Sequence, residues 1–171
     1  MSVLFVIGGA RSGKSRHAQT RIEALPGRLA FIATGQAFDT EMEARIARHR
    51  ADRGPRWKTV EAPIDLPAAI DGAARHADAL LVDCLTLWLS NLMLANHDVE
   101  TGIEKLCGAL KVCPVPVTLV ANEVGMGIVP ENALARRFRD EAGRLNQRIA
   151  AVADEVVLVA AGLPLSMKRP G

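Results

Sequence analysis

Five short runs constrain this chain most, because almost every residue in them is apolar. They are Val3 to Ile7, Leu29 to Ala33, Ala79 to Val82, Val115 to Val120 and Val156 to Val159. A strand with one wet face alternates apolar and polar residues. A run without that alternation suits a strand covered on both faces, as in a parallel sheet. Pro116 is expected near a strand start, where a missing N–H is tolerated. Longer stretches of helical periodicity separate the runs. The longest follows Pro130: Leu134, Phe138, Ala142, Leu145, Ile149 and Val152 recur at intervals of three and four, so they share one face. Arg136, Arg137, Arg139, Arg144 and Arg148 lie opposite them. Gly54-Pro55 and Pro63 punctuate loops, and no repeat, low-complexity tract or linker divides the chain. Residues 1–171 therefore read as one three-layer α/β domain with a mostly parallel central sheet and right-handed crossovers. In such sheets ligands bind beyond the carboxyl ends of the strands.

Composition narrows the function classes. Hydrophobic residues make up 49% and charged residues 23%, which excludes disordered, collagen-like and coiled-coil chains. The formal net charge is +2, so no strong overall field gathers polyanions, and an anion site has to come from local geometry. Aromatics are 4% with no Tyr, which argues against a stacking platform for single strands. Cys84, Cys107 and Cys113 are an odd set without a CxxC, lying in apolar runs. They read as free thiols of a cytoplasmic protein. The first residues carry no charged leader pattern, and a Gly-rich turn cuts the apolar run too short for a membrane span.

That turn is Gly8-Gly9-Ala10-Arg11-Ser12-Gly13-Lys14-Ser15, a G-x-x-x-x-G-K-S pattern between a strand and a helix. Gly8 and Gly13 permit turns that a Cβ would obstruct. Successive N–H groups then form a nest for phosphate oxygens, and the following helix adds its positive end. Lys14 is placed to reach the β- and γ-phosphates of a nucleoside triphosphate, and Ser15 to hold a bridging Mg²⁺. The fold expected is the three-layer P-loop NTPase, RecA-like. A second carboxylate is needed near the metal. Asp83, at the end of a buried run, is the first candidate, and Glu123 is the runner-up. An N-cap for the helix near Leu85 is the plain alternative for Asp83.

A second pattern lies at Asp39 to Arg53. Thr40 and Glu43 form a capping box, and Arg45, His49 and Arg53 fall on one helical face. Neighbouring cations disfavour imidazolium and would keep His49 a neutral nucleophile, whereas Asp52 acts the other way. The plain alternative is a solvated, charged helix. His17, His76 and His97 have no comparable setting.

Several segments in order resemble one family. Gly8 to Arg16, Ile32-Ala33-Thr34-Gly35, and Glu41-Met42 with Arg45-Ile46 and His49 resemble motifs of the bifunctional adenosylcobinamide kinase / adenosylcobinamide-phosphate guanylyltransferases. So do Trp57, Thr59 and Glu61, the block Asn122 to Asn132, Arg137 to Asp140, Gly143 to Gln147 and Ala153 to Val156. The resemblance implies two reactions. ATP or GTP phosphorylates the aminopropanol hydroxyl of adenosylcobinamide. GTP then gives GMP to His49 with release of pyrophosphate, and the GMP passes to adenosylcobinamide phosphate. It further implies that Gly8 to Ser15 hold the triphosphate. Ala33, Thr34, Gly35, Arg50, Ala51, Asp52, Arg53, Glu61 and Asp83 would line the GTP site. Lys14 and Asp83 would join His49 in catalysis, Ser15 and Asp83 would hold Mg²⁺, and the chain would form a homotrimer. Gln19 and Ala121 depart from the family pattern, where an acid and a hydroxyl residue are common.

Two rival readings follow from the same residues. One is a small-molecule P-loop kinase without a covalent step, in which His49 is incidental. The other is a regulatory or nucleic-acid-binding module using the arginine face of the long helix. The low net charge and few aromatics speak against that second reading.

Overall fold

A computed structural model describes residues 2–36, 54–169 and 171. Seven strands form one sheet in the order β3-β2-β4-β5-β1-β6-β7. They are β1 (Val3–Gly8), β2 (Leu29–Ala33), β3 (Trp57–Glu61), β4 (Ala79–Asp83), β5 (Val117–Asn122), β6 (Glu155–Ala160) and β7 (Leu163–Lys168). All neighbouring pairs are parallel except β6 with β7, which is antiparallel. The helices are α1 (Lys14–Glu23), α2 (Leu66–Ala73), α3 (Leu85–Leu94), α4 (Val99–Val112) and α5 (Ala133–Val152). This is the α/β, mostly parallel architecture expected of the unbroken apolar runs.

The two faces of the sheet explain those runs. Leu4, Val6, Leu29, Leu81 and Val157 pack with Ala18 and Ile22 of α1. Alternate residues, among them Phe5, Ile32, Leu80 and Leu119, face a larger core with Leu66, Leu89, Leu106 and Leu145 from α2 to α5. Every residue of β1 is buried, so neither face shows a polar side chain. Pro116 precedes the first residue of β5, so its missing N–H interrupts no pairing within that strand. Cys84, Cys107 and Cys113 are buried and unbridged, and burial pushes each thiol above its ordinary pKa.

Two strands have no counterpart among the five runs. β3 is an edge strand, and its Trp-Lys-Thr-Val-Glu sequence is only partly covered. β7 closes the opposite edge and is exposed along its whole length. Neither needs an uninterrupted apolar sequence, so neither produces the signal that marks the central strands.

Helix starts follow capping chemistry. The side chains of Asp65, Asp98 and Asn132 accept hydrogen bonds from the backbone N–H of Ala68, Thr101 and Ala135. In α5, Ala142, Leu145 and Ile149 are buried, while Leu134 in the first turn is 53% exposed. The apolar stripe read from the sequence therefore extends one turn beyond the part that packs. Leu145→Ala is expected to lower unfolding free energy by about 2–5 kcal/mol through the cavity it leaves. Urea denaturation checks this; a loss below about 1 kcal/mol would contradict the packing described.

Candidate functional site

The carboxyl edge of the sheet gathers the sequence-derived residues that lie within the described structure. β1 ends at Gly8, in register with Asn122 of β5 on one side and Val159 of β6 on the other. A Cβ on Gly8 would collide with the Val159 carbonyl oxygen and the Ser12 hydroxyl. Only glycine lets the loop start so close to its neighbours. The chain then curls back on itself. Ser12 N–H donates to the Gly9 carbonyl at 3.3 Å, and Lys14 N–H donates to the Ser12 hydroxyl at 3.4 Å. Arg11 and Gly13 have positive φ values of 54° and 92°. Alternation of right- and left-handed residues is the geometry that converges N–H groups into a nest.

α1 starts from Gly13 without a side-chain cap. Beyond the Lys14 N–H, which the Ser12 hydroxyl takes, the N–H groups of its first turn have no side-chain cap and can face an anion, where the other helices use a capping side chain. Lys14 Nζ donates to the Gly9 carbonyl at 3.1 Å, which folds the ammonium over the loop. Ser15, in the first turn of α1, is exposed. The loop is also held from outside: Gly162 N–H, in the turn between β6 and β7, donates to the Ser12 carbonyl at 2.8 Å. Sequence reasoning did not find this clamp. Gly162 has a positive φ of 77° beside an exposed edge strand, so its only signal was one glycine in a short polar-poor segment.

Asp83, Ala33 and Glu61 form a second group. Ala33 is in register with Asp83 on one side and with Glu61 on the other, so the three residues make a row across β4, β2 and β3. At about 4.8 Å per strand, the Asp83 and Glu61 backbones stand about 10 Å apart, with Ala33 between them. The row is fixed by Thr34, which is fully buried. Its hydroxyl donates to the Cys84 carbonyl at 2.7 Å and accepts from Cys84 N–H at 2.9 Å. Asn91, in α3, donates to the Thr34 carbonyl at 2.8 Å and to the Pro63 carbonyl at 2.9 Å. Asn91 is a polar residue buried in a mostly apolar helix, and that oddity in Leu-Thr-Leu-Trp-Leu-Ser-Asn-Leu-Met-Leu was a legible sign of a partner. The cap of α3 is Cys84, whose thiol accepts from Leu87 N–H at 3.5 Å. Asp83 is therefore not that cap; it is half-buried at the strand tip.

β5 lies between these two groups. Glu123 N–H donates to the Gly8 carbonyl at 3.0 Å, which ties the segment after β5 to the start of the phosphate loop. The Glu123 carboxylate accepts from Gly125 N–H. Thr86 accepts from Asn122 N–H at 2.7 Å, so α3 braces the tip of β5. Four of the five arginines on the face of α5 opposite its apolar stripe bond within the chain. Arg136 donates to the Pro130 and Glu131 carbonyls, and Arg139 to those of Gly125 and Gly127. Arg144 pairs with Glu141, and Arg148 with Glu100. His49, with Arg45, Arg50, Ala51, Asp52 and Arg53, lies outside the described residues.

One turn into α1, His17 faces Arg21 and Glu155. Burial first, then the Arg21 charge, lowers its pKa, while Glu155 works in the opposite direction. Its Nε2 is buried without a hydrogen-bond partner. Arg21 holds Glu155 by two bonds, at 2.9 and 2.7 Å, which keeps that carboxyl below its ordinary pKa.

Strand order and the G-x-x-x-x-G-K-S loop between β1 and α1 give an α/β protein with a P-loop NTPase-like fold. Solved structures agree at the level of fold. The P4 protein of bacteriophage phi6 in complex with ADP superposes with a TM-score of 0.51 at 18% identity, covering 99% of this chain and 56% of that one. An ATPase from a bacterial type III secretion system gives 0.57 at 11% identity, with coverages of 96% and 56%. This chain thus spans just over half of each of those proteins. Sequence comparison is more specific. Residues 4–167 match the family described as cobinamide kinase / cobinamide phosphate guanyltransferase. The bifunctional adenosylcobalamin biosynthesis protein CobU of Salmonella typhimurium is 44% identical over 181 residues, 97% of this chain and 99% of that protein. CobP of Pseudomonas aeruginosa, of the same description, is 46% identical over 166 residues, 95% of each. The chain belongs to the cobinamide kinase / cobinamide phosphate guanylyltransferase family, whose two activities serve adenosylcobalamin biosynthesis.

Two outcomes test this geometry. Thr34→Val removes the hydroxyl that serves both backbone groups of Cys84, and is expected to cost about 1–3 kcal/mol of stability and to weaken nucleotide binding. Unchanged melting and unchanged affinity would contradict the pinning role. The lowered pKa of His17 means that folded protein binds its proton more weakly than unfolded protein. Its contribution is complete above the ordinary value of 6.5 and is lost as pH falls through the lowered folded value. His17→Gln should therefore flatten the decline of urea-unfolding stability between pH 7 and pH 5; an unaltered slope would refute this.

Proposed function

We propose that this one domain performs both family reactions from a single phosphate cradle, with His49 as the residue that carries GMP. The observation that supports the reading most is the loop from Gly8 to Ser15. It has a glycine-only start, a nest-forming backbone and an uncapped helix end with Lys14 folded across it. Such a loop holds the triphosphate of ATP or GTP by its N–H groups and by Lys14.

In the kinase reaction, the aminopropanol hydroxyl oxygen of adenosylcobinamide attacks the γ-phosphorus, and the nucleoside diphosphate leaves. In the second reaction, a ring nitrogen of His49 attacks the α-phosphorus of GTP, and pyrophosphate leaves. The phosphate of adenosylcobinamide phosphate then displaces the imidazole, giving adenosylcobinamide-GDP and free His49. Lys14 neutralises charge on the transferred groups, Arg45 and Arg53 would add to this around His49, and Arg50 would line the GTP site. Ala33, Gly35, Ala51, Asp52 and Glu61 would line the guanine nucleotide, with buried Thr34 supporting them from behind. The Glu61–Ala33–Asp83 row supports a site that extends across β4, β2 and β3.

The residues present suit Mg²⁺. Ser15 supplies a hydroxyl at the start of α1 and Asp83 a carboxylate at a strand tip. Both are hard oxygen donors, and among the described residues no cluster of three or more His, Cys, Asp or Glu could hold a metal alone. A site that leaves most positions to phosphate and water is the kind Mg²⁺ favours. When bound, the ion neutralises phosphate charge.

No helix among the described residues is long and apolar enough to cross a membrane, and a cytoplasmic homotrimer is the form we propose. The row of Leu163, Leu165 and Met167 on the outer edge strand supports a subunit contact there. The deciding experiment is incubation with α-³²P-labelled GTP. Wild-type protein should acquire acid-labile label, and His49→Ala should acquire none while still phosphorylating adenosylcobinamide. Absence of label on wild type would leave a plain kinase.

A further inference from the structure

The loop between β5 and α5 exposes apolar side chains that the nucleotide chemistry leaves unused. Met126 is 83% exposed, Ile128 97% and Val129 60%. An isolated exposed apolar residue needs no explanation, but three within four positions form a patch. The loop backbone is held at several points. Glu123 accepts from Gly125 N–H, Arg139 donates to the Gly125 and Gly127 carbonyls, and Arg136 donates to the Pro130 and Glu131 carbonyls. The side chains therefore stand out from a braced backbone, so a partner that covers them has to order rotamers but little backbone. The patch also has a fixed address. Its root, Glu123, is bonded to Gly8 at the first residue of the phosphate loop.

We infer that Met126, Ile128 and Val129 form a ledge that seats the corrin body of cobinamide while its side-chain hydroxyl reaches the cradle. This rests on the family's kinase activity, which requires a macrocycle far larger than the nucleotide to dock beside the γ-phosphate. The chemistry of the two surfaces matches. A corrin presents methyl-bearing apolar faces with a rim of amides, and its cobalt(III) form is cationic. The ledge offers apolar side chains to those faces; the Glu131 carboxylate is offset by the Arg136 and Arg139 guanidiniums bonded to the same loop, so the match rests on the apolar contact.

The test is steady-state kinase kinetics of the double variant Met126→Ser/Ile128→Ser with cobinamide and ATP, alongside thermal melting and light scattering. These side chains are too exposed to support the core, so melting should not move. The ledge predicts a rise in KM for cobinamide of about tenfold or more, with KM for ATP and particle mass unchanged. A cobinamide KM within about twofold of wild type overturns the inference while leaving the kinase reading intact. A fall in particle mass also overturns it, by assigning the ledge to a second copy of the chain. Wild type that never turns over cobinamide would remove the inference together with the activity on which it rests.

Discussion

The packing of β1 between β5 and β6 at Gly8 governs the rest of this structure. The strand is buried along its whole length, and its last residue has a neighbouring carbonyl where a Cβ would be. That close fit decides where the backbone leaves the sheet, and so where the nest of N–H groups opens. The clamp from Gly162 to Ser12 and the bond from Glu123 to Gly8 secure the same few residues from two more directions. A phosphate site needs donors aimed before the ligand arrives, because each donor that has to reorient weakens the gain. Here backbone packing sets the loop, and Lys14 is folded across it by its bond to the Gly9 carbonyl.

The register of the parallel sheet does similar work for the acidic side of the site. A slip of one residue would send Asp83 to the opposite face, because side chains alternate along a strand. The apolar runs on both faces forbid such a slip, since each strand is committed to two cores. Thr34 and Asn91 then hold the turn beyond β2 against α3 through buried hydrogen bonds. Stability and positioning come from the same contacts. The acid at the tip of β4 is placed by apolar packing several residues away from it.

Much of this was legible in the residues alone. Unbroken apolar runs revealed the central strands because burial on both faces leaves no position for a polar side chain. The phosphate loop was legible because its glycines answer to backbone geometry. The place of Asp83 after Ala79 to Val82 put it at a strand tip, where the structure has it, and only the structure showed Cys84 taking the capping role. The edge strands β3 and β7 were not legible, since an edge tolerates exposed and mixed side chains. The clamp by Gly162 and the bracing of the 125–131 loop by arginines were hidden for another reason. Backbone carbonyls are their partners, and a carbonyl leaves no trace in residue type. The arginine face of α5 illustrates the same point: only a rival reading, opposed by the low net charge, gave it to nucleic acid, and four of its five arginines bond to the loop and to two internal carboxylates.

The central claim is that one cradle serves both nucleotide reactions. Isothermal titration with a guanosine triphosphate analogue that resists cleavage, repeated in saturating non-hydrolysable ATP analogue, addresses it directly. The account predicts one nucleotide per chain and mutual exclusion of the two analogues. Two independent nucleotides bound per chain would contradict it.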